Sequence, residues 1–299
     1  MISVLIPVYN YNIKPLVDSL LLQFQEVDYK WEIVLSDDNS EKKLRELNFN
    51  FIKDLGKKNV VLFQQERNVG NSENRNILLS KASHSWLLFL DADVLAVHDS
   101  FIASYIAEMK RTKKDIIAGN IVYDSKKPTP NLLRWKYGKL KEEVSFDVRK
   151  KKPVLHVRGA NFAIRKALIE KFKFPKLYEK YGFVDTSFFL QFNEKQISVI
   201  DNPVYHLGIE ENPIYLNKTK NAVNNALFLL DNNEELASNI SIVAFYKKVR
   251  FCKKLIANIY SKSHVKFENN LLSNKPSITI FQFYKLLYLG YLDFSKDIK

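Results

Sequence analysis

Leu90-Asp91-Ala92-Asp93 ends an apolar run with two carboxylates spaced by one residue, and a chain that turns there can offer both to a hard cation through oxygen. An Asp-x-Asp pair is equally a turn or a helix cap, so alone it fixes no chemistry. Three other polar clusters follow apolar runs in the same way. In Pro7-Val8-Tyr9-Asn10 the proline withholds a ladder donor and the tyrosine offers a flat face with a polar tip. In Ser36-Asp37-Asp38-Asn39-Ser40 the adjacent carboxylates point apart, so one can accept from a ligand N–H while the other caps the next helix. Asn68-Val69-Gly70 leads into Arg75, whose guanidinium can reach a phosphate or carboxylate at the sheet edge. Each cluster also has a plain structural explanation, as strand terminator, cap or surface ion pair. Their recurrence after successive apolar runs is what points to a binding edge.

The elements that must carry these clusters are legible in the apolar spacing. Runs at 2–6, 31–35, 60–63 and 86–90 have the length and β-branched or aromatic content of buried strands. Between them Leu16, Leu20 and Phe24 recur every four residues, and Val69, Ile77 and Leu78 sit among polar residues, so 13–26 and 69–82 read as helices. Alternating strand and helix predicts parallel βαβ units, whose ligands bind at the carboxyl ends of the strands. The pattern breaks at 124–153, rich in Lys, Pro and Glu, which reads as a long surface segment or flap. Strands are expected again at 154–157 and 197–200, and from about 213 the spacing is helical. The expected organisation is α/β: a mostly parallel central sheet flanked by helices over 1–210, then a helical C-terminal extension over 211–299.

The 299 residues are 46% hydrophobic and 26% charged, which excludes disordered, collagen-like and disulfide-stapled classes. Lys and Arg outnumber Asp and Glu by 46 to 33, a formal +13 that favours anionic partners without naming a reaction. Cys252 is the one cysteine, so an internal disulfide and a cysteine-cluster metal site are excluded and a reducing compartment fits. The chain opens on a strand-like run rather than a secretory leader, and Gln282 and Lys285 interrupt the longest apolar stretch, 278–292. The expected location is cytoplasmic, with any contact to the inner face of the membrane peripheral.

Taken in order, Pro7-x-Tyr9-Asn10, Asp37-Asp38-Asn39-Ser40, Asn68-x-Gly70 with Arg75-Asn76, and Asp91-x-Asp93 resemble the family 2 glycosyltransferases of the GT-A, Rossmann-like fold. The resemblance covers about the first two thirds of the chain. It implies donor binding by Pro7, Tyr9, Asn10, Asp37, Asp38, Arg75 and Asp91, with Tyr9 and Asp38 at the nucleotide base and Asp91 at the ribose. Asp91 and Asp93 are the implied ligands of a Mn²⁺ or Mg²⁺ cofactor. Arg158-Gly159-Ala160-Asn161 resembles the glycine segment that faces the sugars, which adds Gly159 to the donor site. Tyr181-Gly182-Phe183-Val184-Asp185 is similar to the family's Gly-x-Glu-Asp segment, with Val184 in place of Glu, and implies Asp185 as general base. Asn202-Pro203-Val204-Tyr205-His206 resembles the segment supplying a late histidine to the metal, which implies His206. Asn74 and Asn39 also depart from the family's usual small residues.

The resemblance implies transfer with inversion from a nucleotide-sugar donor, most simply a UDP-sugar, to a glycan or lipid-linked acceptor in bacterial surface polysaccharide assembly. A sugar-nucleotide nucleotidyltransferase is the enzymatic alternative, although no Gly-rich phosphate loop with a Lys opens the chain. A basic nucleic-acid-binding protein is the non-enzymatic one, but the cations are scattered and no recognised nucleic-acid motif is present, so no nucleic-acid partner is expected. In the tail, Ile242, Phe245, Tyr246, Val249, Ile256 and Tyr260 gather on one side of a helical pattern and Lys247, Arg250 and Lys254 on another. Packing on the core or on a second subunit, giving a homodimer, is the first expectation for these helices. Peripheral contact with an anionic membrane is the second.

Overall fold

The computed structural model describes residues 1–128, 132–177 and 181–297. The elements run β1 (Ile2–Val8), α1 (Lys14–Gln25), β2 (Trp31–Asp37), α2 (Lys42–Leu55), β3 (Val60–Gln64), α3 (Asn71–Lys81), β4 (Trp86–Leu90), β5 (Val94–Ala96), α4 (Phe101–Arg111) and β6 (Ile116–Val122). There follow α5 (Leu132–Tyr137), a π-helical turn at Gly138–Glu142, α6 (Phe146–Lys151), α7 (Pro153–His156), β7 (Asn161–Arg165), α8 (Lys166–Ile169), α9 (Val184–Phe189) and β8 (Ile197–His206). The tail holds α10 (Asn212–Asn232), α11 (Glu234–Ala237), α12 (Ser241–Val249), α13 (Lys253–Leu271) and α14 (Ile278–Lys296). The chain groups into two compact units. The first comprises Met1–Asp124, Glu142–Pro175 and Phe188–Gly208, and the second Ser125–Lys141, Lys176–Ser187 and Ile209–Lys299. The helical unit thus begins close to residue 211 and also takes in two earlier segments.

In the first unit the strands form one eight-stranded sheet in the order β3-β2-β1-β4-β7-β6-β8-β5. Ile2, Val4, Leu5, Ile6 and the whole of Trp86–Leu90 are buried, as central strands covered on both faces must be. Strands β3, β2, β1 and β4 are mutually parallel, so their carboxyl ends share one edge. Strand β7 runs antiparallel to both β4 and β6, and β8 is parallel to β6. Two reversals therefore return the carboxyl end of β8 to that same edge. Short β5 pairs antiparallel with β8, Val94 opposite His206. The helices α1, α3 and α4 bury apolar stripes, among them Leu16, Leu20 and Phe24, and Phe101, Ile102 and Tyr105.

Three expectations need correction. Residues 154–157 are not a strand but mostly the single helical turn of α7. Pro153 stands at its first position, where a fixed φ and a missing N–H suit a helix start, and so short an apolar run carries no distinguishing period. The 124–153 segment is not a featureless flap: α5, the π-turn and α6 occupy it, residues 129–131 lying outside the described residues. Its basic run is anchored by Arg149, buried, whose guanidinium donates to the carbonyls of Gly119 (2.9 Å) and Ile200 (3.2 Å). The strand expected at 197–200 continues to His206.

The second unit has its own core, built from Leu227 and Leu230 of α10, Tyr246 of α12, Ile256 and Tyr260 of α13 and Phe281 and Tyr284 of α14. The tail stripe predicted from spacing packs inward at Tyr246, Ile256 and Tyr260, whereas Phe245 is exposed. Asp293 is buried between Tyr246 and Arg250: the phenol donates at 2.7 Å, and the guanidinium donates to both carboxylate oxygens at 2.8 and 2.9 Å. Burial alone would raise this carboxyl, but the hydrogen bonds from Arg250 and Tyr246 outweigh it and hold the group below the usual carboxylate range. Its contribution to stability is therefore fully present above the unfolded-state pKa of about 4 and is lost as the pH falls through the lower folded-state value. Asp293→Asn should cost about 2 kcal/mol at neutral pH, since Arg250 is partly solvated, and should flatten the acid limb of the stability profile. Urea unfolding at pH 7 and at about pH 3, below the unfolded-state pKa, checks both.

Candidate functional site

The carboxyl edge of the sheet in the first unit collects most of the residues singled out above. After β1, Tyr9 is half exposed, and Asn10 adopts a left-handed φ of 51° that turns the chain toward the next loop. Its N–H donates to Ser40 Oγ at 2.8 Å and its Oδ1 accepts from the Glu41 N–H at 2.7 Å. Asn10 thus ties the β1–α1 loop to the β2–α2 loop. Pro7 lies within β1 beside Ser36, beyond the last residue paired to β4.

The two carboxylates after β2 have different tasks. Asp38 is buried and accepts from the N–H groups of Val69 (2.6 Å) and Gly70 (2.9 Å), which fixes the entry to α3. Asp37 is fully buried: Oδ1 accepts from the Ser40 N–H at 2.7 Å, while Oδ2 has no hydrogen-bond partner among the described residues. Leaving a buried acceptor unmet is costly.

Arg75, on the second turn of α3, is buried with its guanidinium over the Phe174 ring at 5.3 Å. It donates to Asp91 Oδ1 at 2.8 Å, and Asp91 remains partly exposed. The sequence left a phosphate or a carboxylate as the guanidinium's partner at the sheet edge; the structure pairs it with the first carboxylate of Asp-x-Asp. The Asp91 N–H approaches the Ala160 carbonyl at 3.4 Å, which sets the buried Gly159–Ala160 turn alongside Asp91.

Asp93 precedes β5, and because Val94 pairs with His206, the carboxylate and the imidazole meet: Oδ2 to Nε2 is 3.7 Å. The Leu207 N–H closes the corner on the Asp93 carbonyl at 2.8 Å. Among the described residues His206 Nδ1 is buried with no hydrogen-bond partner, and Tyr123 lies against the ring at 5.4 Å between centroids. Burial, with the negative charge of Asp93 second, pushes the Tyr11 phenol above its usual value, which places Tyr11 within the field of that carboxylate. Among the described residues no group of three His, Cys, Asp or Glu side chains gathers tightly enough to enclose a cation; Asp93 and His206 come together, and Arg75 orients Asp91 beside them.

Asp185 belongs to the second unit. It lies in the first turn of α9, which begins at Val184, so Asp185 is a helical residue. The preceding loop carries positive φ at Gly182 (98°) and Phe183 (61°), and Asn225 of α10 donates to the carbonyls of Tyr181 (2.9 Å) and Gly182 (3.0 Å). A left-handed phenylalanine is a strained residue that its surroundings must hold in place.

Sequence reasoning missed four contributors. Gly208 lies so close to Asp93 that a β-carbon there would stand 1.8 Å from Oδ2, so the glycine keeps space for the carboxylate. Asn161, fully buried, donates to the Asn120 and Asn202 carbonyls and accepts from Tyr105, binding β7 to β6 and β8 beneath the Gly159 turn. Tyr11 and Tyr123 flank Asp93 and His206. Of these, only Gly208 carries a local signal, a glycine two residues past the end of a strand.

Comparison with known proteins accords with this edge. The family model described as glycosyl transferase family 2 matches residues 3–172, more than half of the chain. Among solved structures, S. aureus TarS is similar at 19% identity with a TM-score of 0.51; the match covers 87% of this chain and 43% of that one, so the chain spans under half the length of TarS. Residues 1–349 of TarS in complex with UDP-GlcNAc match at 16% identity and 0.53 over 99% of this chain and 92% of that one. The mannosyltransferase PcManGT from Pyrobaculum calidifontis, in complex with GDP-Man and Mn²⁺, matches at 12% and 0.57 over 98% and 86%. Glucosyl-3-phosphoglycerate synthase from Mycobacterium tuberculosis, with Mg²⁺ and UDP, matches at 15% and 0.51 over 77% and 78%. These likenesses show the fold, which is the GT-A fold. With four strand ends bearing the ordered motifs and the family model spanning them, the chain belongs to glycosyl transferase family 2 and is a glycosyltransferase.

Proposed function

We propose that the protein moves a sugar from a nucleoside-diphosphate sugar, UDP-sugars first, to a hydroxyl of a glycan or lipid-linked acceptor, with inversion, in the assembly of a bacterial surface polysaccharide. The observation that carries this reading is the meeting of Asp93 and His206 beside the Arg75-held Asp91, on the edge where β1 and β2 also end. Similar folds hold UDP-GlcNAc in TarS, GDP-Man with Mn²⁺ in PcManGT and UDP with Mg²⁺ in glucosyl-3-phosphoglycerate synthase, which supports a nucleotide sugar as donor.

In this reading Tyr9 offers its exposed face to the base, which Asp38 holds from the loop after β2, with Asp37 beside it in the donor site. Asp38 and Asn10 hold the loops around the base, Asp91 accepts from the ribose hydroxyls, and the Gly159 turn lets the sugar approach the backbone. A carboxylate oxygen suits Mn²⁺ or Mg²⁺, an added imidazole nitrogen favours Mn²⁺ of the two, and Gly208 preserves the room that the Asp93 carboxylate needs, so Asp93 and His206 would hold the ion next to Asp91. When bound, the ion supplies Lewis-acid neutralisation of the diphosphate leaving group. Asp185 takes the proton from the acceptor hydroxyl as its oxygen bonds to the anomeric carbon, and the bond to the diphosphate oxygen breaks on the opposite face. One base and no covalent nucleophile give inversion. Proton NMR of products formed from α-configured UDP-sugars should show β-configured products and free UDP. Retained α configuration would contradict the single-base mechanism, and release of no nucleotide from any donor would contradict the reading as a whole.

A further inference from the structure

Helix α13 has two unlike faces. Its inner face, Ile256, Ala257, Tyr260 and Leu271, is buried in the core of the second unit, where Tyr260 packs on Tyr291 at 4.9 Å and Ile256 lies against Gly290 of α14. Its outer face carries Leu255 and Ile259, 59% and 42% exposed, in line with Lys262 and Lys266 at spacings of four, three and four residues. Lys254 flanks the line, and Phe251, in the 3₁₀ turn that leads into the helix, is 87% exposed. A fully solvated phenylalanine with two exposed aliphatics on one helix is a patch that water does not favour.

The charge around this patch has one sign. Residues 241–267 contain no Asp or Glu. Three of their cations are paired within the unit, Lys247 with Glu234, Arg250 with Asp293 and Lys253 with Asp297. Lys254, Lys262 and Lys266 are exposed and form no ion pair among the described residues. A second copy of this face would bring lysine against lysine, and a neutral apolar partner would leave the lysines unmatched. An anionic bilayer meets both parts: the apolar side chains enter the headgroup boundary while the lysine stems lie along it with their ammonium groups at the phosphates. No helix of the described residues is long and apolar enough to cross a membrane, so the contact is with its surface.

We propose that the outer face of α13 with Phe251 is an anionic-lipid docking surface, which seats the protein on a membrane independently of the donor reading above. Each lysine near such a surface multiplies the partition coefficient roughly fivefold. Flotation of the full-length chain with phosphatidylcholine vesicles, and with vesicles about one third phosphatidylglycerol, tests this without any catalytic readout. Binding is expected to the anionic vesicles only and to weaken at high salt. Lys254→Glu, Lys262→Glu and Lys266→Glu together should lower partition roughly a hundredfold, with circular dichroism unchanged because all three side chains are solvated. Phe251→Ser with Leu255→Ser should lower it as well. No binding to anionic vesicles, or equal binding to both compositions, overturns the proposal. So does light scattering that shows a dimer abolished by the Phe251→Ser, Leu255→Ser variant, which would make the face an interface between copies. Because flotation is read without substrate, failure here leaves the transferase reading untouched, and an inactive enzyme that still floats leaves this proposal standing.

Discussion

Asp185→Asn is expected to lower turnover by roughly 10²- to 10⁴-fold while leaving nucleotide affinity and the unfolding midpoint close to those of the parent. Asparagine keeps the size and shape of the carboxylate but cannot take the acceptor's proton. The loop that precedes Asp185 has supports of its own. Its course is fixed by Gly182 at a φ of 98°, where a β-carbon would stand 2.4 Å from Ala222, and by the two hydrogen bonds from Asn225. The left-handed Phe183 stores strain immediately before the helix that presents Asp185, as catalytic loops often do. Single-turnover measurement beside isothermal titration with UDP separates the chemical step from binding. A kcat within a few-fold of the parent would remove Asp185 from the mechanism and direct attention to another base.

Gly208→Ala should cut metal-dependent nucleotide affinity roughly a hundredfold, although it touches neither nucleotide nor metal. The added β-carbon would stand 1.8 Å from Asp93 Oδ2, 2.7 Å from its carboxyl carbon and 2.9 Å from its β-carbon, so the whole side chain has to move and not only its tip. Asp93 is further held by its carbonyl, which accepts from the Leu207 N–H at 2.8 Å, so its backbone cannot follow easily. The carboxylate therefore turns away from His206. Overpacking of this kind costs about 1–3 kcal/mol, less than the stability of a typical domain, so the variant is expected to fold. Titration of UDP with and without Mn²⁺ reads the effect: the metal-dependent increment should nearly vanish while metal-free binding persists. An unchanged increment would mean that Asp93 does not serve the metal.

Much of the edge was legible because its strands are buried on both faces. The runs in β1, β2 and β4 are nearly uninterrupted aliphatic and aromatic residues, each followed at once by polar side chains, and that alone orders Tyr9, Asp37 and Asp91 along one side. The later strands were harder. Strand β6 contains Gly119 and Asn120, β5 is three residues long, and β7 is antiparallel within a parallel pattern, so none presents a clear run. Without β5 and β8 the pairing of Asp93 with His206, far apart in sequence, could be reached only through the family resemblance. For Arg75, spacing shows that a guanidinium can reach a phosphate or carboxylate at the edge but not that the carboxylate it meets is Asp91. Arg149 marks the limit most clearly. In a run of four cations it reads as solvated, yet two backbone carbonyls hold it inside the first unit, and nothing local distinguishes it from Lys150.

The most direct test of the account is calorimetric titration of the parent protein and of Asp93→Asn with UDP, GDP, dTDP and CMP, each in Mn²⁺ and again in EDTA. One nucleoside diphosphate, UDP first, is expected to bind the parent with an affinity that rises on adding Mn²⁺, and Asp93→Asn is expected to lose this rise while keeping its fold. Binding of equal strength in EDTA, or an undiminished Mn²⁺ effect in Asp93→Asn, would contradict the metal site at Asp93 and His206. Binding of no nucleotide by a folded parent would contradict the donor site itself.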